Sequence, residues 1–185
     1  MTNIDNQSTW PIWATESVEI VQPHPEWIEQ GKLYKDELTR LLSLFDMQHI
    51  EHFGSTAIPN LPAKPIIDMM AITDSFDPLP AIIPVLEKEN WHYVSPELDG
   101  KPHRRFFVKV INDKRVAHLH IVLQQGQQWQ NQLLFRDRLI AHPEWAEQYG
   151  QLKQHLAIDN KDDREAYTQA KTEFVQHILN QQEKI

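Results

Sequence analysis

Apolar residues along this chain recur with two periods. Within residues 26–45, Tyr34, Leu38, Leu41, Leu42 and Phe45 follow the i, i+4, i+7, i+8, i+11 spacing of one buried helix face. Residues 48–53 and 66–72 read instead as two short strands, joined by a Gly-Ser turn and a Pro-rich connection. Asp68 interrupts the apolar run of the second strand. A carboxylate there is costly unless it is paired, metal-bound or at an open sheet face. Residues 81–90 predict a helix with Ile82, Ile83 and Leu86 on its apolar side and Pro84 in its first turn. Residues 91–94 predict a strand, and residues 95–103 a loop.

Residues 104–111 and 115–123 predict an antiparallel hairpin around Asn112-Asp113-Lys114. In its second strand, Ala117, Leu119, Ile121 and Leu123 share one face, while Val116, His118, His120 and Val122 share the other. Helices are expected over the apolar face, leaving the histidine face more open. The rest predicts helices over 128–141 and 143–157, and a last one starting near Asp159-Asn160. The second has Pro143 at its first position and Trp145, Tyr149, Leu152 and Leu156 on one side. The last buries Tyr167, Ala170, Phe174 and Ile178 and frays after Asn180. Residues 1–17 read as a polar arm whose Trp10 and Trp13 dock on the body, and residues 18–21 as a short strand. Residues 18–185 are expected to form a single domain.

Composition narrows the function classes. A formal net charge of -8 argues against a broad surface for polymeric nucleic acid or anionic membrane. It leaves room for a local basic pocket. The absence of cysteine removes disulfides and thiolate metal sites and fits a cytoplasmic protein. The N-terminus lacks a signal-peptide pattern, and no apolar run approaches a membrane span.

The chemistry centres on residues 48–73. Gly54 lets the backbone turn or approach a ligand closely. Ser55 and Thr56 add hydroxyls and backbone N–H groups that suit an anion, although a plain turn with a capping serine needs the same residues. A Gly-Ser turn followed about a dozen residues later by a strand aspartate resembles the polymerase-beta type of nucleotidyltransferase. His52-Phe53-Gly54-Ser55-Thr56-Ala57-Ile58-Pro59 and Ala63-Lys64-Pro65-Ile66-Ile67-Asp68 are similar to the signature of the GrpB-like family. So are Arg105-Phe106-Phe107, His118-Leu119-His120, Phe135-Arg136-Asp137-Arg138-Leu139, His142-Pro143, Leu152-Lys153 and Asp163-Arg164-Glu165-Ala166-Tyr167 with Lys171. Asn60 departs from the glycine usual in that family, but asparagine tolerates a left-handed backbone.

The resemblance implies an α/β (α+β) fold: a mixed sheet of about five strands, helices on one face, and a helical C-terminal half closing a cleft. It implies phosphate held by Gly54, Ser55 and Thr56, and a divalent ion on Asp68. Nucleotidyltransferases usually pair their strand carboxylates at i and i+2, and here that second position is Met70. His118 and His120, about 7 Å apart by strand rise, are the candidates to complete an Asp68-His118-His120 metal or catalytic cluster. Glu51 and His52 are further candidates. Imidazoles favour Zn²⁺, Fe²⁺, Mn²⁺ or Ni²⁺ over Mg²⁺. Alternatively these histidines hydrogen-bond across the sheet and orient Asp68 without metal. Mg²⁺ or Mn²⁺ is the expected ion, ahead of Zn²⁺.

Lys101, His103, Arg104, Arg105, Lys109, Lys114 and Arg115 form a basic segment suited to clamping phosphate. A solvated hairpin with mixed charges is the plainer alternative. Lys64, Arg104 and Arg105 are the candidate phosphate contacts, with Arg105 foremost because it lies in the family motif. Three functions fit. The first is a nucleotidyltransferase-like protein binding a nucleotide or related phosphorylated small molecule, with nucleotidyl transfer if it is an enzyme. The second is a non-catalytic ligand-binding or regulatory module, linked to coenzyme A metabolism by the family's fusions to dephospho-CoA kinase. The third is a metal-dependent hydrolase using the Asp and His groups.

Overall fold

Strand periodicity resolves into one mixed sheet in a computed structural model that describes residues 11–15, 19–47, 49–159 and 164–181. Its strands are β1 (Ile50–Phe53), β2 (Ile67–Thr73), β3 (Trp91–Val94), β4 (Arg104–Ile111) and β5 (Lys114–Leu123). They lie in the order β1-β2-β5-β4-β3. The central pair β2–β5 is parallel, and the other pairs are antiparallel.

Side-chain alternation gives the sheet two different faces. Ile67, Met69 and Ala71 of β2 and Ala117, Leu119 and Ile121 of β5 point to the same side. Two helices cover that side, α1 (Glu26–Leu42) and α2 (Leu79–Glu87). Leu38, Leu42, Ile82 and Leu86 enter this core fully buried. Each such side chain contributes about 2 kcal/mol through loss of its exposed apolar surface. The opposite face carries Asp68, Met70, His118, His120 and Val122. α4 (Gln127–Ala141) lays Trp129 and Leu133 over Phe53, Met70, Ile72 and Val122. One half of this face is therefore dry, and the half holding Asp68 lies beside it.

α5 (Pro143–Asp159) and α6 (Arg164–Leu179) complete the helical C-terminal half. They share a second core with α4, built on Phe135, Leu139, Ala146, Tyr149 and Ile178. Ile58 and Leu61 enter this core from the connection after the Gly-Ser turn. The connection thereby joins the helices to the sheet.

Several local features depart from the pattern-based expectation. Residues 19–21 form no strand; Val21 makes one isolated bridge to Ala63. α2 begins at Leu79, so Pro84 lies inside the helix rather than in its first turn. The expected loop at 95–103 contains one helical turn, α3 (Pro96–Asp99), stopped by Gly100 at φ 70°. The hairpin turn is Asn112-Asp113, both left-handed, and Lys114 already belongs to β5. Asn60 is left-handed, as its tolerance predicts. Trp13 stacks on His92 with ring centroids 5.8 Å apart. Trp10 and the side chains of Tyr167 and Ala170 lie outside the described residues.

The β4–β5 register slips by one residue. Val110 pairs with Arg115, but Lys109 pairs with Ala117, leaving Val116 as the extra residue of a bulge. Beyond it, Phe106 faces His120 and Arg104 faces Val122.

Candidate functional site

The parallel register of β2 and β5 sets Asp68 beside His118 and Met70 beside His120. Asp68 Oδ1 accepts from His118 Nδ1 at 3.0 Å and lies 3.7 Å from His120 Nε2. Burial alone raises the pKa of the Asp68 carboxyl. The adjacent His118 and His120 outweigh that effect and hold it well below the usual carboxylate range. Burial pushes His120 down to about 4, helped by Arg104 and His118 against the pull of Asp68.

Arg104 fixes the outer side of His120. The residue is 8% exposed, and its guanidinium grips Asp99 through Nε to Oδ2 at 2.7 Å and Nη2 to Oδ1 at 2.5 Å. It lies over the Phe106 ring, 4.5 Å from the centroid, and its Nη1 donates to His120 Nδ1. A guanidinium is always a donor, so this Nδ1 must accept. The neutral His120 ring then carries its hydrogen on Nε2, the nitrogen nearest Asp68. Among the described residues, neither His118 Nε2 nor His120 Nε2 has a hydrogen-bond partner, although both atoms are buried.

The Gly-Ser turn borders this cluster. Gly54 has φ 71°, and a Cβ there would lie 2.8 Å from Asp68 Oδ2. Both the backbone conformation and the close approach therefore require glycine. Ser55 begins a short 3₁₀ turn over Ser55–Ala57. Its Oγ accepts from Lys153 Nζ at 2.9 Å, and Lys153 also donates to the Pro62 carbonyl at 2.6 Å. Lys153 belongs to α5 and is 2% exposed. Burial, with Lys171 and Lys64 nearby, pushes it down to about 7. Lys171 of α6 is lowered by burial foremost and by Lys101, and is raised by Asp68. The helical half therefore brings cations to the Gly54-Ser55-Asp68 floor from two helices.

Not every expected site residue reaches this floor. Thr56 is 2% exposed, with its hydroxyl shared between His52 Nε2 at 2.9 Å and the Ile66 carbonyl at 3.3 Å. It braces the turn and is not open to a ligand. Arg105 pairs with Ile121 on the opposite sheet face. Its guanidinium holds the Pro102 and Arg104 carbonyls and stacks on Phe76 at 3.9 Å. Arg104 therefore stands where Arg105 was the leading expectation. Glu51 pairs with Lys35 and Arg136, and His52 faces α1, where a Cβ on Gly31 would lie 2.1 Å from its Nδ1. Neither joins the Asp68 cluster. Lys64 lies close enough to Lys153 to lower its basicity. Lys153 is the residue that sequence reasoning passed over as a bare motif match. Its signal was a lysine at the i+4 position from Tyr149, on the side of α5 that the apolar pattern buries.

Asp68, His118 and His120 each bring a ligand-type atom within 4.8 Å of the others. Distance alone thus suits one ion, but the donor set does not. Arg104 imposes an N–H on the His120 nitrogen that would have to ligate, whereas metal-binding histidines donate their other N–H outward. Met70, where a second carboxylate would stand, is fully buried in an apolar cluster. Positive charge from Arg104 and Lys171 adds repulsion.

A protein family described as GrpB protein matches residues 17–181. UPF0157 protein YqkA of Bacillus subtilis (strain 168) is 34% identical over 170 residues, covering 91% of this chain. The chain spans only 48% of that relative's length. Glutamate-rich protein GrpB of Alkalihalophilus pseudofirmus is 34% identical over 154 residues, 88% of its own length. The crystal structure of GrpB from Enterococcus faecalis superposes with a TM-score of 0.76 at 29% identity, covering 87% of this chain and 97% of that one. A Cid1 poly (U) polymerase structure is a partial likeness, with a TM-score of 0.48 at 14% identity over 45% of that chain. That last similarity is too slight to bear on activity.

Proposed function

The chain belongs to the GrpB family, and from that premise we propose that the site formed by the Gly-Ser turn and Lys153 binds a nucleotide or a related phosphorylated small molecule. The phosphate lies against Ser55 and Lys153. One observation carries this reading: a lysine that is 2% exposed, hydrogen-bonded to Ser55, in an electrostatic field shared with Lys64 and Lys171. Burial and the nearby Lys171 and Lys64 disfavour the charged form of Lys153. An oxyanion beside the Lys153 ammonium offsets both costs and gains charge-assisted hydrogen bonds. The overall charge of -8 makes this local reversal of sign the more telling.

Binding without two-ion nucleotidyl transfer is the better-supported form of the reading. The apolar burial of Met70 beside a single carboxylate favours it. Calorimetric titration with the four nucleoside triphosphates and coenzyme A tests the proposal, on wild type and on Lys153→Met. Saturable binding of one ligand, weakened about tenfold or more in the variant, is expected from loss of a charge-assisted hydrogen bond. A wild type that binds none of them, with or without Mg²⁺, sinks the proposal.

A further inference from the structure

We infer that the Asp68-His118-His120 cluster works without a divalent ion, with His120 held by Arg104 as an N–H donor and His118 presented as an acceptor to a ligand oxygen. The chain of contacts runs inward from Asp99. Its carboxylate takes two hydrogen bonds from Arg104, with both side chains almost fully buried at 10% and 7% exposure. That bidentate grip, with Phe106 beneath the guanidinium, leaves Nη1 directed at His120 Nδ1. His120 is thereby restricted to the ring form with hydrogen on Nε2.

His118 has the opposite polarity. Its Nδ1 faces the Asp68 carboxylate at 3.0 Å and donates to it, which leaves a lone pair on Nε2. The two Nε2 atoms are both buried and unpartnered among the described residues. One therefore needs an acceptor and the other a donor. A ligand with a hydroxyl beside an acceptor oxygen meets both needs. A phosphate carrying one proton is one source of that pair, and the vicinal hydroxyls of a sugar are another. This ligand role rests on the phosphorylated-ligand reading above; the exclusion of the ion does not, and follows from the Arg104 contact.

The test is ¹⁵N NMR of the full chain labelled in its histidine rings, at pH 7.5. Long-range ¹H–¹⁵N correlations report which ring nitrogen carries hydrogen. The expected result is His120 with hydrogen on Nε2 and His118 with hydrogen on Nδ1. Both sets of signals should persist when Mn²⁺ is added to an equimolar level, because no ion sits between the rings. Arg104→Leu should release His120 to the other ring form. If that variant does not fold, the wild-type spectrum decides alone. His120 with hydrogen on Nδ1 overturns the inference, as does selective broadening of His118 and His120 by Mn²⁺ below one equivalent. Inorganic triphosphate and ribose, added separately, distinguish the two ligand sources through shifts of the two Nε2 signals. If neither shifts them while the ring forms hold, the ligand role fails and the exclusion of the ion stands.

Discussion

Gly54 and Asp68 approach so closely that the Cβ of any other residue at 54 would lie 2.8 Å from the Asp68 carboxylate. The turn therefore also determines where Asp68 can stand. Gly54→Ala adds left-handed strain at φ 71° to that collision. It is expected to lose more than about 1 kcal/mol of stability. It should also displace Asp68 from His118. A lower urea midpoint together with altered His118 ring shifts checks this; an unchanged midpoint contradicts it.

Lys153 makes stability depend on pH in an alkaline window. Its folded pKa is about 7 against an ordinary 10.5, so the unfolded chain binds the extra proton between those values. Stability therefore rises with pH from about 7 to about 10.5. Lys153→Met removes this dependence and is expected to be the more stable protein near pH 7, since it removes a buried cation. Urea midpoints of the two proteins from pH 6.5 upward should converge as pH rises. Parallel curves would show that Lys153 is not depressed.

His120 and His52 act in the acid window. Both are pushed down to about 4 by burial foremost, against an ordinary value of 6.5. Below 6.5 the unfolded chain takes up protons that the folded one refuses, so stability is lost as pH falls toward 4. Replacing both by glutamine should flatten the stability profile between pH 6.5 and 4. A double variant with the wild-type slope would assign the loss to other groups.

The ion pair of Arg104 with Asp99 is buried, so breaking one side is expensive. Asp99→Asn leaves the guanidinium with a weaker acceptor in an enclosed site and is expected to cost about 3 kcal/mol. Denaturation midpoints at pH 7 measure it. A loss below about 0.5 kcal/mol would place this pair among the weakly contributing surface ones.

Met70→Asp tests the missing carboxylate directly. Met70 is fully buried with Phe53, Ile72 and Val122 under Trp129 and Leu133. A carboxylate there replaces a fully buried apolar side chain among apolar neighbours, and a loss of about 3 kcal/mol or more is expected, without gain of Mg²⁺ binding. Tight, saturable Mg²⁺ binding by this variant would contradict the apolar reading of the position.

Most elements, and the grouping of chemistry within each strand, were legible in the sequence alone. Period-two alternation put His118 and His120 on one face of β5 and separated them from Ala117, Leu119 and Ile121, because successive strand residues point to opposite sides. The grouping of the Gly-Ser turn with Asp68 was implied by the resemblance of their spacing to the nucleotidyltransferase pattern. Two decisions belonged to the tertiary structure. Lys153 and Ser55 lie 98 residues apart, and only the docking of α5 onto the connection through Leu61 and Tyr149 brings them together. The choice between Arg104 and Arg105 depended on a single residue. A regular two-residue hairpin closing at Asn112-Asp113 would set Arg105 opposite His120 and on its face. The bulge at Val116 shifts the register by one, so Phe106 takes that place and Arg104 shares the histidine face. Alternation along one strand is a local property of the backbone. Register between strands is settled by the packing of the whole sheet, and one inserted residue exchanges every side chain beyond it.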